Sequence, residues 1–134
     1  MKPFVLDSHM TTMRGVFYPT GHVVLMLPGE AEVKKACHDL THAGVSSEEI
    51  SVLSPDVIMD DIAHTVGSAD IPMPSPGTEA DTVRQLTHLA AQGQWGLLVH
   101  APHAADSDKV MAALKGHPIT YAQKYRHLVI EDLV

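Results

Sequence analysis

The sequence predicts a mixed α/β sandwich, ferredoxin-like at its centre, with a split βαβ core and two additional helices. Three observations lead there. Segments 22–27 and 94–101 are apolar almost throughout, the pattern of strands buried on both faces. Around them lie stretches whose apolar residues recur at helical spacing. The chain also echoes itself: a shift of 74 residues lays Leu25-Met26-Leu27-Pro28 over Val99-His100-Ala101-Pro102, and Ala36, Cys37 and Leu40 over Val110, Met111 and Leu114. Each half then reads strand, proline, helix, glycine, strand, and two such units are the skeleton of a split βαβ sandwich.

Residues 1–14 read as an extended arm ahead of a single domain at 15–134. Phe4, Val5 and Leu6 would be wasted in water, so the arm is expected to dock them on this or a neighbouring subunit. Tyr18-Pro19-Thr20-Gly21 has Pro second and Gly fourth, which suits a type I turn. Strand 22–27 follows, and Pro28-Gly29 ends it. Residues 30–43 read as a helix, with Glu30 and Glu32 in the first turn and Gly44 just beyond the end. At about 100° per residue, Val33, Ala36, Cys37, Leu40 and Ala43 share one stripe. Ser46-Ser47-Glu48-Glu49 has capping-box spacing and makes one turn before strand 50–53. Ser54 then caps a helix with Pro55 at its first position, running to Val66 with Ile58, Met59, Ile62, Ala63 and Val66 inward. Residues 68–77 hold three prolines and form a loop long enough for a lid or a connector. Thr78 caps helix 78–92 and Gly93 stops it. Strand 94–101, helix 106–115 and a strand-like segment 117–131 complete the chain. The two apolar strands need cover on both faces, from the four helices or from a second subunit.

Composition narrows the function classes. At 134 residues, with 45% hydrophobic and 19% charged residues, the chain is a globular protein rather than a disordered one. A net charge of -7 argues against nucleic-acid binding through phosphate contacts. One cysteine excludes an internal disulfide framework and a Cys-based zinc cluster. The amino terminus lacks the apolar block of a secretory signal, and the run 23–27 is far short of a membrane span. A cytoplasmic location without a membrane partner is therefore expected. The ten histidines would move the net charge from -7 to +3 if all were protonated, so association and solubility should respond to mild acid.

The candidate metal ligands are His38 and His42, four apart on the first helix, where two imidazoles can chelate a divalent ion from one face. A catalytic zinc needs three protein ligands and HExxH is absent. Solvated surface histidines are the alternative. The candidate ligand contacts are His100 and His103, flanking Ala101-Pro102 where a strand gives way to a helix, the place open α/β sheets put ligands. A buried His100 donating to a backbone carbonyl is the competing reading. Tyr121 and Tyr125 join them as candidates, sharing a strand face with Gln123 and His127 while Lys124, Arg126 and Leu128 share the other. Aromatics there can stack on a ligand, or serve cross-strand packing or a dimer contact. Asp7-Ser8-His9 makes no triad, since consecutive side chains diverge, and the adjacent Asp60 and Asp61 point apart on their helix. No GxSxG elbow, phosphate-binding GxxxxGK[ST] loop or GxGxxG fingerprint occurs, and no cofactor is expected.

Strand 23–27, the run Glu-Ala-Glu-Val through Leu-Thr-His-Ala-Gly, and Ser-Ser-Glu-Glu-Ile-Ser-Val-Leu together make residues 23–53 resemble the amino-terminal segment of small bacterial heat-induced general-stress proteins. The resemblance implies an α/β fold and a stress-related role, with no catalytic residues to carry over. The expected function is a non-catalytic binding or regulatory module acting as a homo-oligomer, most simply a dimer. The alternative is a small-molecule enzyme or ligand sensor with a pocket near His100, His103 and loop 68–77, and a third possibility is a metal-responsive protein using surface histidines.

Overall fold

A computed structural model describes residues 2–6, 10, 17–66, 78–126 and 129–133. Six strands form one sheet: β1 (Lys2–Pro3), β2 (His22–Leu27), β3 (Ile50–Leu53), β4 (Trp95–His100), β5 (Tyr121–Arg126) and β6 (Val129–Asp132). Their order across the sheet is β1-β3-β4-β2-β5-β6. β1 runs parallel to β3, and every other neighbouring pair is antiparallel. Helix α1 (Glu30–His42) joins β2 to β3, and helix α4 (Ala104–Ala113) joins β4 to β5. Each βαβ unit therefore has a strand of the other between its own two, the interleaving implied by the internal echo. The fold is a mixed α/β sandwich.

The double burial of β2 has a direct structural answer. Val23, Leu25 and Leu27 enter one core with Val33, Ala36, Cys37 and Leu40 of α1 and Val110 of α4. Val24 and Met26 enter a second core on the opposite face, where Ile58, Ile62, Val83, Leu86 and Leu89 meet them. Those last residues belong to the two helical segments inserted between the βαβ units: α2, which starts at Pro55–Val57, and α3 (Thr78–Ala91). Both faces of the sheet are thus covered within one chain.

Several local expectations need correction. The turn before β2 sits one residue later than expected: His22 N–H donates to Pro19 O at 3.1 Å, and Gly21, at φ +78, takes the third place, where a left-handed residue is required. Ser54 does cap α2, its Oγ accepting from Val57 N–H at 3.3 Å. The helix then widens to a π-turn at Ile58–Ile62 and tightens to a 3₁₀ turn at Ala63–Val66. Ile58 and Ile62 of its stripe are fully buried, whereas Met59, about 100° round from Ile58, lies 41% exposed at the stripe's edge, and the burial of Val66 lies outside what the structure describes. Helix α4 begins two residues before the expected start, because His103 serves as its N-cap and Asp106 Oδ2 accepts the His103 N–H at 3.1 Å. Segment 117–131 is two strands of a hairpin rather than one.

The arm is part of the sheet. Lys2 and Pro3 pair with Ser51 and Val52. Phe4 is buried in the second core, with its ring 5.9 Å from that of Phe17 in a T-shaped contact. Val5, expected to dock, points outward and is 72% exposed, as alternation along an extended segment demands once Phe4 is inside. Loop 68–77 and His127 lie outside the described residues.

Candidate functional site

The register brings His22 of β2, His100 of β4 and Tyr125 of β5 to one end of the sheet. Two further backbone bonds extend the ladder there: Ala101 N–H to Gly21 O at 2.8 Å and Gly21 N–H to Tyr125 O at 2.7 Å. The chain leaves β4 at Ala101-Pro102 and enters α4 through His103. A cleft of about 660 Å³ opens at this junction, with His103, Ser107, Asp108, Lys124, Arg126 and Glu131 among its lining residues.

Lys124 is the notable group of the cleft. It stands opposite Val23 of the doubly buried β2 and is only 3% exposed. Its Nζ donates to Ala101 O, to Ser107 Oγ at 2.5 Å and to His103 O at 3.4 Å. An ammonium has three N–H donors, so each has a partner. Burial pushes the Lys124 pKa below the ordinary lysine value, with Arg126 adding to the effect, while Asp106, Glu131 and Asp108 oppose it. The amine ties the end of β4 and the first turn of α4 to β5. Arg126, Asp108 and Glu131 are exposed and carry both signs of charge around it.

The expected contact residues divide among different surroundings. His103 lines this cleft. His100 is exposed; its ring centroid lies 5.0 Å from that of His22, and it borders a smaller recess of about 160 Å³ with Glu49, Asp106 and Lys109. His22 Nδ1 lies 3.0 Å from Thr20 O. Tyr125 reaches the cleft only at its wall: its side chain is wholly buried in the second core, edge-on to Phe17 and Tyr18. Thr82 is the polar neighbour of its hydroxyl, and burial raises the tyrosine pKa well above the usual range. Tyr121 packs against the same core and donates to Gln123 Oε1 at 2.5 Å; its pKa is likewise raised, chiefly by burial. Neither tyrosine presents its ring to the cleft that holds His103.

His38 and His42 are exposed on α1 with ring centroids 4.4 Å apart. Among the described residues no group of three or more His, Cys, Asp or Glu side chains gathers to hold a metal ion. Cys37 faces the core instead, and burial raises its thiol pKa. Among the same residues no helix is long and apolar enough to cross a membrane.

Lys124 was not singled out by sequence reasoning, which placed it on a polar strand face with Arg126. A lysine between tyrosines on a strand carries the pattern of a solvent-facing position. The signal that contradicts this pattern is its pairing opposite Val23, and pairing is not written in local sequence. No protein-family model, curated protein or solved structure matches the chain, so the site rests on its own geometry.

Proposed function

We propose that the chain is a non-catalytic binding module that holds a small zwitterion, a molecule with one carboxylate and one amine, in the cleft at the start of α4. The observation that carries this reading is the buried Lys124 at the cleft, with its Nζ directed at Ala101 O, Ser107 Oγ and His103 O. An amine with all its protons engaged holds walls in place and is not offered to a substrate as nucleophile or base. Lys124 thereby ties the end of β4 and the first turn of α4 to β5, which pre-organises that wall for a ligand. Its volume lies within the range of small-molecule sites. The lining carries Arg126 together with Asp108 and Glu131, a mixture that suits a ligand of both charges. A stress-related regulatory role, as residues 23–53 imply by resemblance, belongs to the same proposal, since a regulator needs a ligand-responsive cleft.

Calorimetry on the full chain with free amino acids, each beside its decarboxylated amine and its deaminated acid, tests the reading. At least one amino acid should bind tenfold more tightly than either half-analogue, and Arg126→Gln and Glu131→Gln should each weaken it tenfold. Equal binding of the half-analogues, or no binding by any amino acid, overturns it. Self-association as a homodimer is part of the proposal, and light scattering during gel filtration tests it: a monomer at every concentration removes it.

A further inference from the structure

A second cleft, of about 640 Å³, lies between the outer face of α1 and the turn that follows α4. Lys34, Lys35 and His38 of α1 line one side, and Lys115 and His117 the other. These are three of the six lysines in a chain whose net charge is -7. All three are exposed, and among the described residues none has a carboxylate within ion-pair distance. The one acidic residue of the lining, Asp39, is already engaged: its Oδ2 lies 2.7 Å from His117 Nε2. Three ammonium groups with no ion pair among the described residues thus line one hollow, and the carboxylate of its lining, Asp39, is turned to a histidine.

Such concentration has an electrostatic cost that folding alone does not explain. Like charges held together repel, and the lining sets the single carboxylate of Asp39 against three ammonium groups. The same arrangement repels a divalent cation, so it works against the two imidazoles of His38 and His42 as a metal site. It suits a ligand with several negative charges spaced along its length. A lysine ammonium meets phosphate oxygens well as a point charge, without the fork geometry that carboxylate recognition by arginine uses. The volume exceeds the need of a single orthophosphate, and three cations call for more than one anionic group.

We propose that the cleft between α1 and the Lys115–Pro118 turn binds a short chain of phosphates, either free oligophosphate or the phosphate tail of a nucleotide. This is independent of the zwitterion cleft, which lies at the amino end of α4 and uses none of these lysines.

The test is calorimetric titration of the full, untagged chain with inorganic tripolyphosphate at low ionic strength, with ATP and orthophosphate run in parallel. Tripolyphosphate should saturate one site per chain, at least tenfold more tightly than orthophosphate, and weaken as salt is raised. Lys34→Gln with Lys115→Gln should weaken it at least tenfold. Both positions are exposed, and an unchanged circular dichroism spectrum verifies the fold. Lys2→Gln with Lys109→Gln, outside the cleft, should leave binding unchanged. ATP binding tenfold more tightly than tripolyphosphate assigns the site to a nucleotide; equal or weaker binding assigns it to free oligophosphate. Absence of saturable tripolyphosphate and ATP binding overturns the proposal, as does binding that survives the Lys34/Lys115 pair or falls equally with the Lys2/Lys109 pair. Arg126→Gln should not alter either titration, so failure here and failure at the zwitterion cleft are told apart.

Discussion

Replacing Lys124 by methionine separates the packing of this side chain from the work of its charge. Methionine keeps an unbranched stem of similar length and so preserves most of the burial, while removing the ammonium. The buried Ala101 carbonyl then loses a donor, and Ser107 Oγ loses its Lys124 partner while keeping its own donation to His103 O at 3.4 Å. An unsatisfied buried acceptor costs about 1–3 kcal/mol, and relief of the desolvated ammonium returns part of that. A net loss of about 2 kcal/mol at neutral pH follows. At about 4 °C per kcal/mol for a domain near this size, the melting temperature should fall by roughly 8 °C.

The pH dependence is the sharper part. Lys124 has a lowered pKa in the folded state and the ordinary value of 10.5 when unfolded. Below the folded value both states are protonated and the residue adds no slope. Between the two values the unfolded state binds more protons, so stability rises with pH. The wild-type chain therefore gains stability from this residue as pH climbs toward 10.5, and the Lys124→Met variant does not. Melting temperatures measured for both from pH 7 to 9.5 should diverge, with the gap widening at the alkaline end. Parallel curves, or a variant that overtakes the wild type at pH 9.5, would refute the assignment of a buried, destabilised ammonium.

Other predictions are independent of Lys124. Gly96→Ala should destabilise by about 1–3 kcal/mol in chemical denaturation, because an added Cβ would lie 2.9 Å from Met26 Sδ, 3.1 Å from Leu25 O and 3.2 Å from Leu53 Cβ. Phe4→Ala should cost about 3 kcal/mol through lost burial and the Phe17 contact, whereas Val5→Ser, at a 72% exposed site, should stay within about 0.5 kcal/mol. Tyr121 and Tyr125 hold raised pKa values in the folded state, so above pH 10 the unfolded chain releases these protons first and stability falls as pH rises. Ultraviolet titration should then show both ionising together with unfolding, and ionisation of all tyrosines in a still-folded chain near pH 10 would contradict their burial.

Much of the architecture was legible because it is local. The stripe Val33, Ala36, Cys37, Leu40 has helical period, and Gly44 and Gly93, at φ +96 and +87, mark helix ends that only a left-handed residue closes easily. Ser54 and Pro55 announced α2 by N-cap chemistry. His103 as an N-cap escaped notice because histidine is not among the favoured capping residues, although Asp106 three residues on was a visible clue. Of the cleft at the start of α4, His103 was legible from its place after a strand, while Lys124 was not, since its partners lie 23 and 17 residues away. Lys115 likewise meets Lys34 and Lys35 only because α1 and α4 pack on the same face.

By itself, then, the sequence determined the positions of the main helices and of β2, β3 and β4, and the double burial of β2 and β4, because periodicity, caps and glycine act over a few neighbouring residues. It also limited the chemistry, since a lone cysteine and a net charge of -7 hold whatever the fold. Only the tertiary structure decided that α2 and α3 cover the second face, that β1 joins the sheet edge, and that the tyrosines of β5 turn into the core while Lys124 turns to a cleft. Those outcomes depend on strand order and register, which are settled by the summed burial of residues far apart in the chain. A one-residue slip in the pairing of β5 with β2 would exchange Lys124 for Tyr125, and no short stretch of sequence records which of the two prevails.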